Sequence, residues 1–235
     1  MKTQIIVFSG AGMSAESGIA TFRDTGGLWE NYKIEEVATP EAWNANPNLV
    51  QQFYNLRRRN IALAKPNQAH LDIVELENYF DVTVITQNID DLHERAGSSN
   101  VLHLHGNIML AKSSGPKKES KYYPVYGDLD ISKDFCDDGY PLRPHVVWFG
   151  ESVPNYDVAQ QIIQSADVLI VIGTSLNVYP AAGLIHATNP NCLCILIDPN
   201  SSEIQVPSHF KCIQKSAVEG IKEVKQMILD WLAKK

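Results

Sequence analysis

The stretch Ile5-Ile-Val-Phe-Ser-Gly10-Ala-Gly12-Met-Ser14-Ala15 runs from an apolar, mostly β-branched tetrapeptide straight into a glycine turn. Such a short apolar run bounded by Ser-Gly predicts a buried strand. The residues after it predict a helix start near Ser14. Glycines at this junction let the backbone turn tightly and come close to a pyrophosphate, whose charge meets backbone N–H groups at the helix start. Gly10, Ala11, Gly12, Ser14 and Ala15 are therefore candidate nucleotide contacts. A turn that only leads a strand into a helix shows part of the same pattern, so the stretch needs support from the rest of the chain.

Outward from this turn, apolar strands alternate with helices. The pattern predicts strands over Asp81–Thr86, Pro144–Phe149, Asp167–Ile172 and Asn191–Ile197. It predicts helices over Asn48–Ala64 (ended by Pro66), Asn67–Asn78, Tyr156–Ser165, Pro180–Thr188 and Val218–Ala233. Thr39-Pro40-Glu41 reads as an N-cap with proline in the first turn. This alternation predicts an α/β fold: a Rossmann-like, doubly wound parallel sheet. Residues 107–144 lack periodicity and are broken by Gly and Pro, which predicts a small inserted module. The expected organisation is one domain over 1–235. Its large lobe takes about 1–30, 80–106 and 145–235, with a helical insertion over about 31–79 and the module over about 107–144.

The 235 residues include 20 Lys plus Arg and 27 Asp plus Glu, a formal balance of −7 that argues against nucleic acid held by the whole surface. The four cysteines, Cys136, Cys192, Cys194 and Cys212, form no Cys-x-x-Cys pair. Cys192 and Cys194 share a strand face, so a disulfide framework is not expected; three small buried hydrophobes and one loop cysteine are. No signal peptide is visible, and no apolar run approaches the ~20 residues of a membrane-spanning helix. The expectation is a cytoplasmic protein without membrane contact.

Chemistry-bearing residues cluster after the predicted strands. A dehydrogenase would carry a second strand ending in an acid about 20 residues past the glycines. Here Phe22-Arg23-Asp24-Thr-Gly26-Gly27-Leu-Trp29 is instead a loop suited to closing over a ligand. After the second strand come Gln87-Asn88-Ile89-Asp90-Asp91-Leu92-His93, where Asn88 and Asp90 alternate across Ile89. They suit a ligand pocket, while Asp90 also suits a helix N-cap and His93 a surface position. His103 and His105 have same-face spacing. They could serve a metal, although further ligands are not obvious, or a general base, since histidine titrates near neutrality. Gly173-Thr174-Ser175 suits phosphate or ribose, and Asp198-Pro199-Asn200 suits ribose hydroxyls.

Together these strings resemble the sirtuin family of NAD-dependent protein-lysine deacylases. The match rests on Gly10-Ala-Gly-Met-Ser-Ala-Glu-Ser-Gly-Ile-Ala-Thr-Phe-Arg23, Gln87-Asn-Ile-Asp90, His105-Gly106, Val146-Val-Trp-Phe-Gly-Glu151 and Gly173-Thr-Ser175. The resemblance implies NAD across the crevice, with phosphates on the Gly10–Ser14 turn and Phe22, Arg23 and Trp29 in the covering loop. Gln87, Asn88, Ile89 and Asp90 would line the nicotinamide pocket, with Gly173, Thr174, Ser175, Asp198, Pro199, Asn200 and Ala217 also on the nucleotide. His105 would be the general base on a ribose hydroxyl, and the products nicotinamide, free lysine and O-acyl-ADP-ribose. Val146, Val147, Phe149, Gly150 and Glu151 would dock acylated protein substrates by strand addition.

Tyr54 and Arg57, three apart on one helix face, resemble the Tyr-x-x-Arg pair of the branch that removes succinyl, malonyl and glutaryl groups. An arginine fork matches a terminal carboxylate. The bland alternative is that Arg57, Arg58 and Arg59 form a solvated basic face. The family's two zinc-binding cysteine pairs would fall near Ser113–Pro116 and Phe135–Asp138, where only Cys136 is present. The expectation is no structural zinc, with Tyr122, Tyr123, Tyr126, Phe135 and Tyr140 clustering in its place. Mono-ADP-ribosyl transfer and NAD sensing without catalysis are the competing functions.

Overall fold

The computed structural model describes residues 2–21 and 32–234. Phe22, Arg23 and Trp29 lie outside them. The strands are β1 (Gln4–Ser9), β2 (Asp81–Thr86), β3 (Val101–His103), β4 (Gly106–Ser113), β5 (Tyr122–Pro124), β6 (Leu142–Val146), β7 (Val168–Ile172), β8 (Leu193–Ile197) and β9 (Lys211–Ile213). The helices are α1 (Gly12–Ala15), α2 (Ile34–Val37), α3 (Pro40–Ala45), α4 (Pro47–Leu63), α5 (Gln68–Leu76), α6 (Leu92–Ala96), α7 (Tyr156–Gln164) and α8 (Ala217–Leu232).

One sheet has the order β3-β2-β1-β7-β8-β9, and every pair in it is parallel. The order reverses between β1 and β7, the place where doubly wound sheets open a ligand crevice at their carboxyl ends. β7 and β8 are apolar at every position because both their faces are covered. On one face Val7, Ile170 and Ile195 pack with α5 and α8 through Ile73, Ile221 and Val224. On the other, Phe8, Val171 and Cys194 pack with α7 and the 3-10 turn Ala181–Ala187 through Ile163, Ala182 and Ile185. Cys136, Cys192 and Cys194 are buried, and the exposed cysteine is Cys212 on edge strand β9.

The second sheet, β5-β4-β6, is antiparallel and belongs to the small module. β4 shifts register between Gly106 and Ala111, so its inside–outside alternation is broken. That irregularity hides the strand from a period-2 reading. Four predicted details change. The helix near Ser14 is a single turn. The Pro180–Thr188 helix is a 3-10 segment. The strand predicted through Phe149 ends at Val146. The expected aromatic cluster does not form: Tyr126 is 97% exposed, and Tyr122, Phe135 and Tyr140 are also exposed. The module instead buries Ala111, Leu129, Cys136 and Leu142, with Tyr123 and Val125 against them.

Candidate active site

The crevice is built by backbone contact before any side chain enters. The Gly12 N–H donates to the Gly173 carbonyl at 2.8 Å. A Cβ on Gly12 would sit 2.8 Å from the Gly173 Cα, and one on Gly173 would sit 2.3 Å from the Met13 nitrogen. Gly173 also has φ +60°. Glycine is thus needed here for loop to meet loop, in addition to any approach of a phosphate. The N–H groups of Gly10, Gly12, Met13 and Ser14 all have protein partners, which leaves fewer donors for an anion than the glycine pattern implies. Leu176, just beyond Gly173-Thr174-Ser175, is held at φ 54°, rare for a branched side chain.

The end of β2 joins this turn. Ser14 Oγ donates to Asp90 Oδ2 at 3.0 Å and accepts from Asn88 Nδ2 at 3.1 Å. Asn88 Nδ2 also donates to the Gly10 carbonyl. Asp90 Oδ1 accepts from the Leu92 N–H, but the N-cap of α6 is Asp91, so Asp90 sits one residue before the cap expected of it. Burial raises the Asp90 carboxyl, against the Leu92 and Ser14 donors. Gln87 Nε2 donates to Thr174 Oγ1, which ties the ends of β2 and β7. His93 is not a surface residue: it is 1% exposed, and its Nε2 lies 3.0 Å from Ser9 Oγ. Ser9 Oγ in turn donates to Thr86 Oγ1, which also accepts the Asn88 N–H.

His105 follows β3. Its Nδ1 is 2.9 Å from the Gln87 carbonyl oxygen. A carbonyl only accepts, so the proton sits on Nδ1 and the Nε2 lone pair is left for chemistry. Burial lowers the ring's basicity, partly offset by that hydrogen bond, so the imidazole is neutral near pH 7. A neutral imidazole with a defined tautomer is what a general base requires.

Across the crevice, α4 presents Tyr54 and Arg57 from one face. Tyr54 is 1% exposed, and burial raises its hydroxyl pKa. The Arg57 guanidinium carbon lies 5.7 Å from the Phe53 ring centre and 5.8 Å from that of Tyr54. Burial lowers the Arg57 pKa, against the fields of Tyr54 and Asp90. Ile89 of the loop after β2 is buried in one cluster with Phe53 and Tyr54 of α4, which brings the two elements together. Trp148, absent from the candidates read from sequence, closes this side: its ring lies 6.4 Å from Tyr54 and 5.7 Å from Trp43. Its position within Val-Val-Trp-Phe was the available signal.

The three arginines are not one solvated face. Arg58 is buried, donating from Nε to the Ile108 carbonyl and from Nη1 to Asn55 Oδ1, while exposed Arg59 pairs with Asp128.

Val146–Glu151 is not a free docking strand. The Val147 N–H donates to the His105 carbonyl, Trp148 to Glu151 Oε2 and Phe149 to the Ala38 carbonyl. Glu151 turns inward, its side chain 7% exposed, accepting from Arg143, Lys118 and Trp148. Burial opposes its ionisation, yet Arg143 holds it well below the usual carboxylate range. These bonds engage the Glu151 carboxylate within the protein, and Phe149 and Gly150 are the exposed part of the stretch.

Asp198 is buried at the end of β8 with Oδ1 accepting the Asn200 N–H, and Pro199 and Asn200 are exposed beside it. Ala217 opens α8, whose Val218 N–H donates to Glu16 beside the glycine turn.

Fold and site together define a doubly wound α/β protein with a half-buried histidine, His105, beside the loop that follows β2. The profile of the Sir2 family matches residues 10–180, and the chain belongs to that family. It is 47% identical to an NAD-dependent protein deacylase of Bacteroides thetaiotaomicron, covering 96% of this chain and 97% of that one. It is 45% identical to an NAD-dependent protein deacylase of Helicobacter pylori, covering 96% and 95%. Among solved structures, a Sir2 homolog–NAD complex aligns with TM-score 0.83 and 37% identity over 97% of this chain and 90% of that one.

Proposed function

We propose that this chain is an NAD-dependent protein-lysine deacylase acting on acyl groups that end in a carboxylate, succinyl and malonyl before acetyl, with glutaryl within the same class. The observation that carries the acyl preference is the placing of Tyr54 and Arg57 together on α4, a buried phenol with a guanidinium 5.8 Å from its ring centre, packed beside Ile89 of the loop that carries Asn88. A carboxylate at the end of an acyl chain would meet a planar donor fork and a hydroxyl there. NAD supplies the ribose and the leaving nicotinamide. Asn88 and Asp90 would take its carboxamide, and Thr174, Ser175 and Asp198 its nucleotide. His105 Nε2 would accept a proton from a ribose hydroxyl while Gln87 holds the other ring nitrogen. Phe149 and Gly150 would meet the substrate backbone, which supports loose sequence preference.

The residues where this family's zinc cysteines are expected do not fit zinc. Ser113 Oγ donates to Asp138 Oδ2 at 2.7 Å, and the Cys136 thiol donates to the other oxygen of the same carboxylate. Among the described residues no group of three or more His, Cys, Asp or Glu side chains is arranged to hold a metal. We read the module as zinc-free, which metal analysis of the purified chain checks: one tightly held zinc per chain would refute it.

The experiment on function is a panel of acetyl-, succinyl-, malonyl- and glutaryl-lysine peptides with NAD, followed by nicotinamide release. Arg57→Met should lower desuccinylation at least about tenfold more than deacetylation, the loss of a charge-assisted pair. Equal loss of both activities refutes the acyl assignment.

A further inference from the structure

Two residues before His105 lies a second histidine that the proposed chemistry does not use. His103 has a side chain only 13% exposed. Its Nδ1 lies 3.0 Å from the Asn88 carbonyl oxygen and its Nε2 lies 2.7 Å from Glu94 Oε1. Glu94 and the Asn88 carbonyl only accept, so both contacts are hydrogen bonds only when the ring carries two protons; a neutral imidazole must give one up, and the donor it could then take at Nε2, Asn107 Nδ2, lies farther off at 3.5 Å. His105 and His103 thus hold the consecutive carbonyls of Gln87 and Asn88 with rings in opposite proton states.

The helix that carries Glu94, α6, is anchored at both of that residue's neighbours in sequence: by His93 to Ser9 and by Arg95 to the Ile61 and Ala64 carbonyls at the end of α4. Asn155 Nδ2 holds the His103 carbonyl at 2.9 Å. The titratable groups facing the ring are Glu94 and His93 from α6, Asp90 from the β2 loop and His145 from β6.

We propose that His103 and Glu94 form a positioning pair for the nicotinamide-side loop: the doubly protonated ring, braced by the Glu94 carboxylate, fixes the Asn88 carbonyl and so the direction in which Asn88 and Asp90 face His105. The proposal rests on the reading that this loop takes the carboxamide of NAD. Burial alone would lower the His103 pKa, but the Glu94 hydrogen bond and charge raise it above that of an ordinary histidine. His105 moves the other way. Activity then needs His105 deprotonated and His103 protonated, which gives a bell whose alkaline side belongs to His103.

Glu94→Gln, His103→Ala and His103→Gln test this by steady-state kinetics, NAD binding calorimetry and melting temperature. Glu94→Gln should raise the KM and Kd for NAD about tenfold, hold the acyl-peptide KM within about twofold, and move the alkaline side of the pH profile to lower pH. His103→Ala should do the same to NAD affinity. His103→Gln, which retains an N–H donor for the Asn88 carbonyl, should recover part of it. The pair is refuted if NAD and peptide parameters fall together with the melting temperature. It is also refuted if Glu94→Gln leaves both the NAD Kd and the alkaline side unmoved. Absence of nicotinamide release by the unmodified chain on every acyl peptide would instead sink the deacylase reading, and the NAD Kd values would still decide the pair.

Discussion

In the six-stranded sheet, side chains alternate between two apolar layers and the loops touch backbone to backbone. In the three-stranded module Ala111, Leu129, Cys136 and Leu142 form a small apolar set, Ile108 and Val146 pack toward α4, and polar contacts hold much of the rest. Lys112, 1% exposed at its side chain, pairs with Glu119; Ser113 and Cys136 donate to Asp138; Asn55 on α4 exchanges hydrogen bonds with the Leu129 backbone. Non-directional burial tolerates small errors in shape, whereas a backbone contact or a buried polar set tolerates almost none. The two regions should therefore fail differently when altered.

The largest effect is expected at the loop-to-loop contact. Gly173→Ala forces a side chain into φ +60° and into the Met13 nitrogen. Strain and overpacking together should cost roughly 3 kcal/mol or more and abolish NAD binding. Urea unfolding and calorimetry measure both, and wild-type NAD affinity in this variant would show that the loops part without penalty.

Next is acid. His70 and His93 are buried ring to ring, with centroids 4.9 Å apart. Burial lowers His70 from 6.5 to about 4. Burial, then the field of His70, lowers His93 from 6.5 to about 3. Both folded values lie below the unfolded one, so the folded state binds fewer protons below pH 6.5. The stability is whole above that pH and is lost as pH falls toward the folded values, by on the order of 3 kcal/mol per histidine at full protonation. His70→Gln should flatten the fall in melting temperature between pH 6.5 and 4; an unchanged slope would show that the pair does not set it.

The module gives a smaller, local response. Asp138→Asn keeps the shape but removes the charge that accepts from Ser113 and Cys136. Because Asp138 is exposed, water can replace the lost partner, and only a small, local loss of stability is expected. Hydrogen exchange should rise over residues 113–141, while NAD affinity stays within about twofold because the crevice shares none of these bonds. Loss of NAD binding alongside it would erase the distinction between the two regions.

What the sequence disclosed follows the same division. The apolar runs of β1, β7 and β8 were readable because burial leaves a periodic or continuous trace in local sequence. The site motifs were readable because they sit at strand ends, where the fold exposes them to the crevice. Polar partners leave no such trace. Ser9 and His93 are 84 positions apart, and Asn55 reaches Leu129 across 74. No local pattern names the partner, so His93 reads as a surface residue until topology brings Ser9 to it, and the Arg143 pairing of Glu151 is likewise invisible in the sequence.

The finest test of the contrast lies between neighbours on α4. Arg58 and Arg59 both join α4 to the module, one from inside and one from outside. Arg59 and Asp128 are about half exposed, at 55% and 49% of their side chains. Water screens such a pair, so Arg59→Ala should change stability by no more than about 0.5 kcal/mol. Arg58→Ala would take the donor from the Ile108 carbonyl and one of several from Asn55 Oδ1 within the interior and should cost several times as much. A double-mutant comparison by urea unfolding reads both. If Arg59→Ala proved as costly as Arg58→Ala, the module would be held by its surface charges and its buried polar set would be incidental.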